Sequence, residues 1–190
     1  MTSILKVDNI QKANGSTPTA KDLGINTTGT VLKTVFAKTD GIHGTSNAEV
    51  LYLTATIAPT LSSSKILISH LVSYGGAANG YGFGRCERTV AGGSAVNLRY
   101  GDSSFGANTG KGVYASFGMQ MNNSNDVYKM WSTGFNFLDT PSTTSVVTYK
   151  FFVQADASSR QIIVNRSVTD PTAGYRPPPN TTVTLTEIGG

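Results

Sequence analysis

Cysteine is almost missing from this chain. Cys86 is the single one in 190 residues, so no internal disulfide exists and no zinc ligand spacing can be built around it. It reads as a small buried apolar residue, and it leaves the redox compartment open. Charge is also scarce: 14% of residues are charged, and 15 Lys and Arg against 11 Asp and Glu leave a net charge of +4. The basic residues are scattered, and the densest group, Arg85, Glu87 and Arg88, contains its own acid. A nucleic-acid surface shows a basic stripe interleaved with aromatics, so no nucleic-acid partner is expected. No uninterrupted apolar run reaches about 18 residues, which excludes a membrane-spanning helix. The opening MTSILKVDNIQK lacks a basic start followed by a long apolar run, so export through the standard secretory route is not expected. The Asn-x-Ser/Thr matches at Asn165 and Asn180 then count as accidents of composition.

What the chain does have is hydroxyl and glycine. It holds 25 Thr, 19 Ser and 21 Gly. Helical proteins favour long unbranched side chains that keep rotamer freedom. Abundant Thr, Val, Gly and aromatics suit pleated strands joined by tight turns. The first thirty residues stand apart, since the first aromatic of the chain is Phe36. Within them Ile4, Leu5, Val7 and Ile10 form an apolar cluster, followed by turn-rich stretches at Asn14–Pro18 and Asn26–Gly29. Residues 1–30 are therefore expected to be an arm and linker, and 31–190 a single domain.

From Val31 onward, apolar runs of strand length alternate with Gly, Asn, Ser, Asp and Pro clusters. The expected strands are Val31–Ala37, Val50–Ala58, Lys65–Tyr74, Tyr81–Thr89, Ala95–Tyr100, Gly112–Met121, Tyr128–Leu138, Val146–Ala155, Gln161–Val168 and Thr182–Ile188. A period of two is clearest at Val113, Ala115, Phe117, Met119 and Met121, and at Val147, Tyr149, Phe151 and Val153. Lys65–Tyr74 is apolar on both faces, Ile66, Ile68 and Val72 opposing Leu67 and Leu71, which predicts an interior strand or a subunit contact. About ten strands without intervening helices predict an all-β fold, an antiparallel jelly-roll β-sandwich. The Arg176–Pro179 stretch predicts an extended loop before the last strand.

Catalytic patterns are absent. Gly80, Gly82 and Gly84 have the wrong spacing for a dinucleotide loop and lie within a strand, so they read as positions of close backbone approach. Gly106–Gly112 is one residue short of a phosphate loop and lacks its hydroxyl. His43 falls in an expected loop. His70 shares a strand face with Ile68 and Val72, which predicts a hydrogen-bonded interior or interface residue. Two separate histidines make no three-ligand metal site, and no Gly-x-Ser-x-Gly elbow occurs. No enzymatic activity, cofactor or metal is expected. The tyrosines near strand ends, with their Asn-rich neighbours, offer recognition chemistry. Tyr81, Asn122, Asn123, Asn125 and Tyr128 are the candidates for contacting a receptor.

The segments Phe137–Lys150, Ile163–Ser167 and Thr182–Ile188 resemble the C-terminal jelly-roll domain of tail-fibre-like structural proteins of marine bacteriophages, including cyanophages. Ser3–Gln11 resembles the start of such virion proteins. The resemblance covers both ends and the last third of the chain. It implies a domain similar to the trimeric jelly rolls of the complement globular head and tumour necrosis factor. It also implies a place on the phage particle surface, in tail fibres, head fibres or capsid decoration. The expectation is a homotrimer attached to other virion proteins through Ile4, Leu5, Val7 and Ile10, with a host-surface glycan or protein as a further partner. Ile66, Ile68, Val72, Phe151 and Val153 are the expected subunit-contact residues. A stand-alone lectin-like module is the competing reading, and a glycan depolymerase a third.

Overall fold

Alternating side chains commit a segment to a pleated strand when one face finds cover, and here each sheet covers the other. The computed structural model describes residues 11, 14–18, 28–45, 48–77, 80–98, 116–121, 130–155, 157, 159–168 and 180–190. Among the described residues there are eleven strands and no helix: β1 (Val31–Thr39), β2 (His43–Thr45), β3 (Val50–Ile57), β4 (Lys65–Ala77), β5 (Gly80–Val90), β6 (Val96–Leu98), β7 (Phe117–Met121), β8 (Trp131–Asp139), β9 (Val147–Ala155), β10 (Gln161–Val164) and β11 (Thr181–Ile188). Every pairing is antiparallel.

Several strands are halves of one position. β8 pairs with one edge of β4, while β10 and β11 share its other edge, at Tyr74–Ala77 and Lys65–Leu71. β2 then pairs β10, and β1 pairs β11. The first sheet is thus four strands wide, in the order β8, β4, β10/β11, β2/β1. The second runs β3, β9, β5, β6/β7 by the same logic. Counting each pair of halves once gives eight positions, and the spatial orders 1-8-3-6 and 2-7-4-5 are those of a jelly roll.

The inner faces interdigitate. On β9, Val147, Tyr149, Phe151, Val153 and Ala155 are all fully buried, as are Ile66, Ile68 and Val72 on β4. This corrects the subunit-contact expectation for Ile66, Ile68, Val72, Phe151 and Val153. Their period of two did mark a covered face, but the opposite sheet of the same chain is the cover. Lys65–Tyr74 is indeed an interior strand. A second correction concerns His43, which lies in β2 and not in a loop: a three-residue strand is too short to show a period. The expected strand over 161–168 ends at Val164, where Asn165 turns the chain with φ +63°.

At Gly82 and Gly84 of β5 neighbouring side chains leave no room for a Cβ. A Cβ on Gly82 would strike the Ile162 side chain, and one on Gly84 the ring of Phe117. Gly84→Ala is expected to cost about 1–3 kcal/mol by displacing Phe117, read as a lower urea midpoint at unchanged slope. The cluster Ile4, Leu5, Val7 and Ile10, expected to anchor the chain, and the stretch Arg176–Pro179 lie outside the described residues.

Candidate functional site

Buried polar groups can mark chemistry or can hold a fold together, and their partners tell which. His70 sits on the inner face of β4 between Ile68 and Val72. Its ring stacks on Phe151 (centroids 4.6 Å apart, planes 10° apart), and Nε2 shares a hydrogen bond of 3.2 Å with the Tyr52 hydroxyl. Burial drives its pKa from 6.5 down to about 3, so at neutral pH the ring is uncharged and sealed in the core. Cys86 is equally enclosed, and burial, reinforced by the charge of Asp139, pushes its thiol up. The interior readings of both residues hold.

Asp139, at the end of β8, closes one end of the sandwich. It accepts hydrogen bonds from Arg88 (2.7 Å) and from the Tyr149 hydroxyl (2.8 Å). Burial, together with the Asp139 charge and hydrogen bond, raises the Tyr149 phenol. Tyr149→Phe is expected to lower stability by about 1–2 kcal/mol through loss of that one bond, measured by chemical unfolding at pH 7.

Glu187 is buried on the same face of β11 as Val183 and Leu185. Burial pushes its pKa up, but hydrogen bonds from the Ser64 hydroxyl and from the amide and hydroxyl of Thr60 outweigh it, and the net shift is downward. The carboxylate therefore ties the last strand to the turn between β3 and β4.

Asn165 joins more elements than any of these. Its amide donates from Nδ2 to the carbonyls of Thr39 (2.8 Å) and Gly41 (3.0 Å), between β1 and β2. Its Oδ1 accepts from the Thr181 hydroxyl (2.7 Å) at the start of β11, and its backbone N–H donates to Ser73 O (2.8 Å) in β4. The sequence had marked Asn165 only as a chance glycosylation match. An Asn directly after a strand is the signal it offered, because Asn tolerates the left-handed backbone region.

The outward faces differ sharply from one another. On the second sheet, Arg85 lies over the Phe152 ring at 4.1 Å, with Glu49 holding it through two bonds (2.7 and 2.6 Å) and Glu87 and Asn97 through one each (2.6 Å). On the first sheet the outward rows are Lys38–Thr182–Leu71–Gly134, Phe36–Thr184–Ser69–Asn136 and Thr34–Thr186–Leu67–Leu138, running from β1 across to β8. Phe36 is 61% exposed, Leu138 48% and Leu71 47%. Lys38 is the one charged residue of the twelve.

Of the expected receptor-contact residues, Tyr81 lies in β5 with its backbone opposite Gln120. Asn122, Asn123, Asn125 and Tyr128 fall outside the described residues.

No family model matches the chain, and no curated protein matches it. Among solved structures the chain is similar to infectious bursal disease virus, Gx strain (TM-score 0.40, 8% identity, 84% of this chain and 37% of that one). It is similar also to the Gt strain (TM-score 0.40, 9% identity, 84% and 39%) and to the VP2 subviral particle of that virus (TM-score 0.38, 10% identity, 84% and 38%). The chain spans less than two fifths of the length of those chains. At such scores the fold rests on the strand pairings above and not on the likeness.

Proposed function

We propose that this chain is a non-enzymatic structural protein of a bacteriophage particle, a jelly-roll module on the particle surface that works as a homotrimer. Residues 1–12 attach it to neighbouring virion proteins through Ile4, Leu5, Val7 and Ile10. The domain is carried outward, toward a host-surface glycan or protein. The observation that carries the reading is the outward face of the first sheet, where a fold of this kind leaves apolar and hydroxyl side chains uncovered. A self-assembling module needs such a face. The sequence likeness to tail-fibre-like proteins supports the setting.

Arm docking is balanced closely. Burying four aliphatic side chains yields about 6–12 kcal/mol, and ordering about eight residues costs a similar amount. A single arm holds weakly, and three on one trimer hold through effective concentration. Immunogold labelling of particles with antibody to this chain tests the proposal. Label at regular sites on tail or head is expected, and its absence from purified particles would refute the virion reading. Deleting residues 1–12 is expected to leave a soluble, folded oligomer that no longer enters particles. Unimpaired incorporation would remove the arm from the account.

A further inference from the structure

The two outer faces of this sandwich are built for different surroundings. On the β3, β9, β5, β6/β7 sheet, Arg85 has its charge matched by Glu49 and Glu87 and its plane stacked on Phe152. Covering that network would strip water from three ionised groups, a cost that packing rarely returns. On the β8, β4, β11, β1 sheet nothing of this kind stands in the way.

We propose that copies of this chain meet one another through the outward face of the β8, β4, β11, β1 sheet, each copy turning that face toward a common axis. The inference rests on the self-associating part of the reading above and not on its virion setting. Charge, composition, shape and area each favour a second copy as the occupant.

The first is charge. Only Lys38 is ionised among these twelve positions, and the next row, Val31–Ile188–Lys65, adds a second cation at the rim, so the middle of two such faces meets without charge repulsion. An anionic partner such as nucleic acid or an acidic polysaccharide would call for a cluster of cations, and Lys38 and Lys65 lie in rows at opposite ends of this face.

The second is composition. Phe36, Leu71 and Leu138 are three of the eight large apolar side chains that stand exposed among the described residues, and Leu67 adjoins them directly opposite Leu138. Between them runs the β11 stripe of Thr182, Thr184 and Thr186. Threonine is stiff at χ1, so immobilising it costs little entropy.

The third is shape. A pleated sheet packs best against another pleated surface at about 10 Å, and the partner always present at matching concentration is the chain itself. The fourth is area. Four strands of about eight residues make a flat footprint of roughly 500 Å² before side-chain relief. That is the same order as the about 800 Å² per partner found in stable interfaces. The face-to-back alternative fails because it would bury the Arg85 network.

Sedimentation of the full chain, with substitutions on each outer face, tests this. The wild type is expected to sediment as an integer multiple of 20.0 kDa at tens of micromolar. The double variant Phe36→Lys, Leu71→Lys is expected to sediment as the monomer, with its circular dichroism and Tm unchanged at concentrations where the wild type is also dissociated. Leu51→Lys, on the other sheet, is expected to stay assembled. A monomeric wild type, an assembled double variant, or equal dissociation by Leu51→Lys would each overturn the proposal. Should the lysine pair perturb folding, Phe36→Thr with Leu71→Thr keeps strand propensity and is expected to weaken association at least about tenfold. Failure of particle labelling together with dissociation by the face variants would discard the virion setting alone.

Discussion

Replacing Asn165 by alanine is expected to lower the unfolding free energy by about 4–5 kcal/mol, a loss that can approach the full margin of a domain stable by 5–15 kcal/mol. Two effects add. The buried hydroxyl of Thr181 and the half-buried carbonyls of Thr39 and Gly41 lose their partner inside the protein, at about 1 kcal/mol each, the low end for an unsatisfied group because water reaches the two carbonyls. The backbone at φ +63° then carries a Cβ with no polar side chain to compensate, at about 1 kcal/mol. Asn165→Gly separates the two, since it relieves the backbone and loses the same bonds. Alanine is expected to be the worse of the pair by about 1 kcal/mol. Thermal unfolding provides the check: at about 2–4 °C per kcal/mol for a chain of this size, Asn165→Ala melts about 8–20 °C below wild type. A shift under about 3 °C would show that the junction of the split strands is held elsewhere.

Acid is expected to unfold this protein through His70. The ring binds its proton at about pH 3 in the folded chain, against 6.5 when exposed. Between those values the unfolded chain takes up a proton that the folded one refuses, so stability rises with pH across the window and falls as pH is lowered through it. Each unit is worth about 1.4 kcal/mol. From pH 7 to pH 4 the loss is about 3 kcal/mol, and by pH 3 about 4 kcal/mol. Glu187 acts in the same direction but lower down. Its folded pKa lies below 4.5, so its contribution is present above that value and disappears only as pH falls through the depressed one. Urea unfolding at pH 7, 5.5 and 4 measures the slope. His70→Phe leaves the Tyr52 hydroxyl without its partner and lowers stability at pH 7, but it is expected to flatten the dependence between pH 6.5 and 4.5. An unchanged slope in that variant would assign the acid sensitivity to other groups.

The strands were legible in the sequence because a period of two is written directly into residues such as Val147, Tyr149, Phe151 and Val153. His70, Cys86 and the Gly82 and Gly84 positions were legible for a related reason: each is a departure from its strand's pattern that only one environment accommodates. The identity of the cover was not legible. Alternation reports that Ile66, Ile68 and Val72 leave water, but an opposite sheet and a sister subunit remove water equally well. The outward residues Leu67 and Leu71 of the same strand carried the better clue to a contact, since β4 already had its inner cover. Asn165 escaped because its partners, Thr39, Ser73 and Thr181, are distant in sequence and become neighbours only when both split strands are in place. Glu187 could have been found. Val183, Leu185 and Glu187 share one face by simple parity, and a carboxylate on an apolar face must have hydrogen-bond donors waiting.

The last strand formed along the chain, β11, lies in the interior of its sheet, between β1 and β4. A ribosome making this polypeptide therefore exposes both neighbours long before the strand that joins them exists. Closure of this sheet is gated on translation of residues 181–188, as expected where pairings are remote in sequence. Interrupted products lack the threonine stripe at the middle of the proposed contact face, so a truncated chain can neither close its sandwich nor present the surface by which sound copies would take it up.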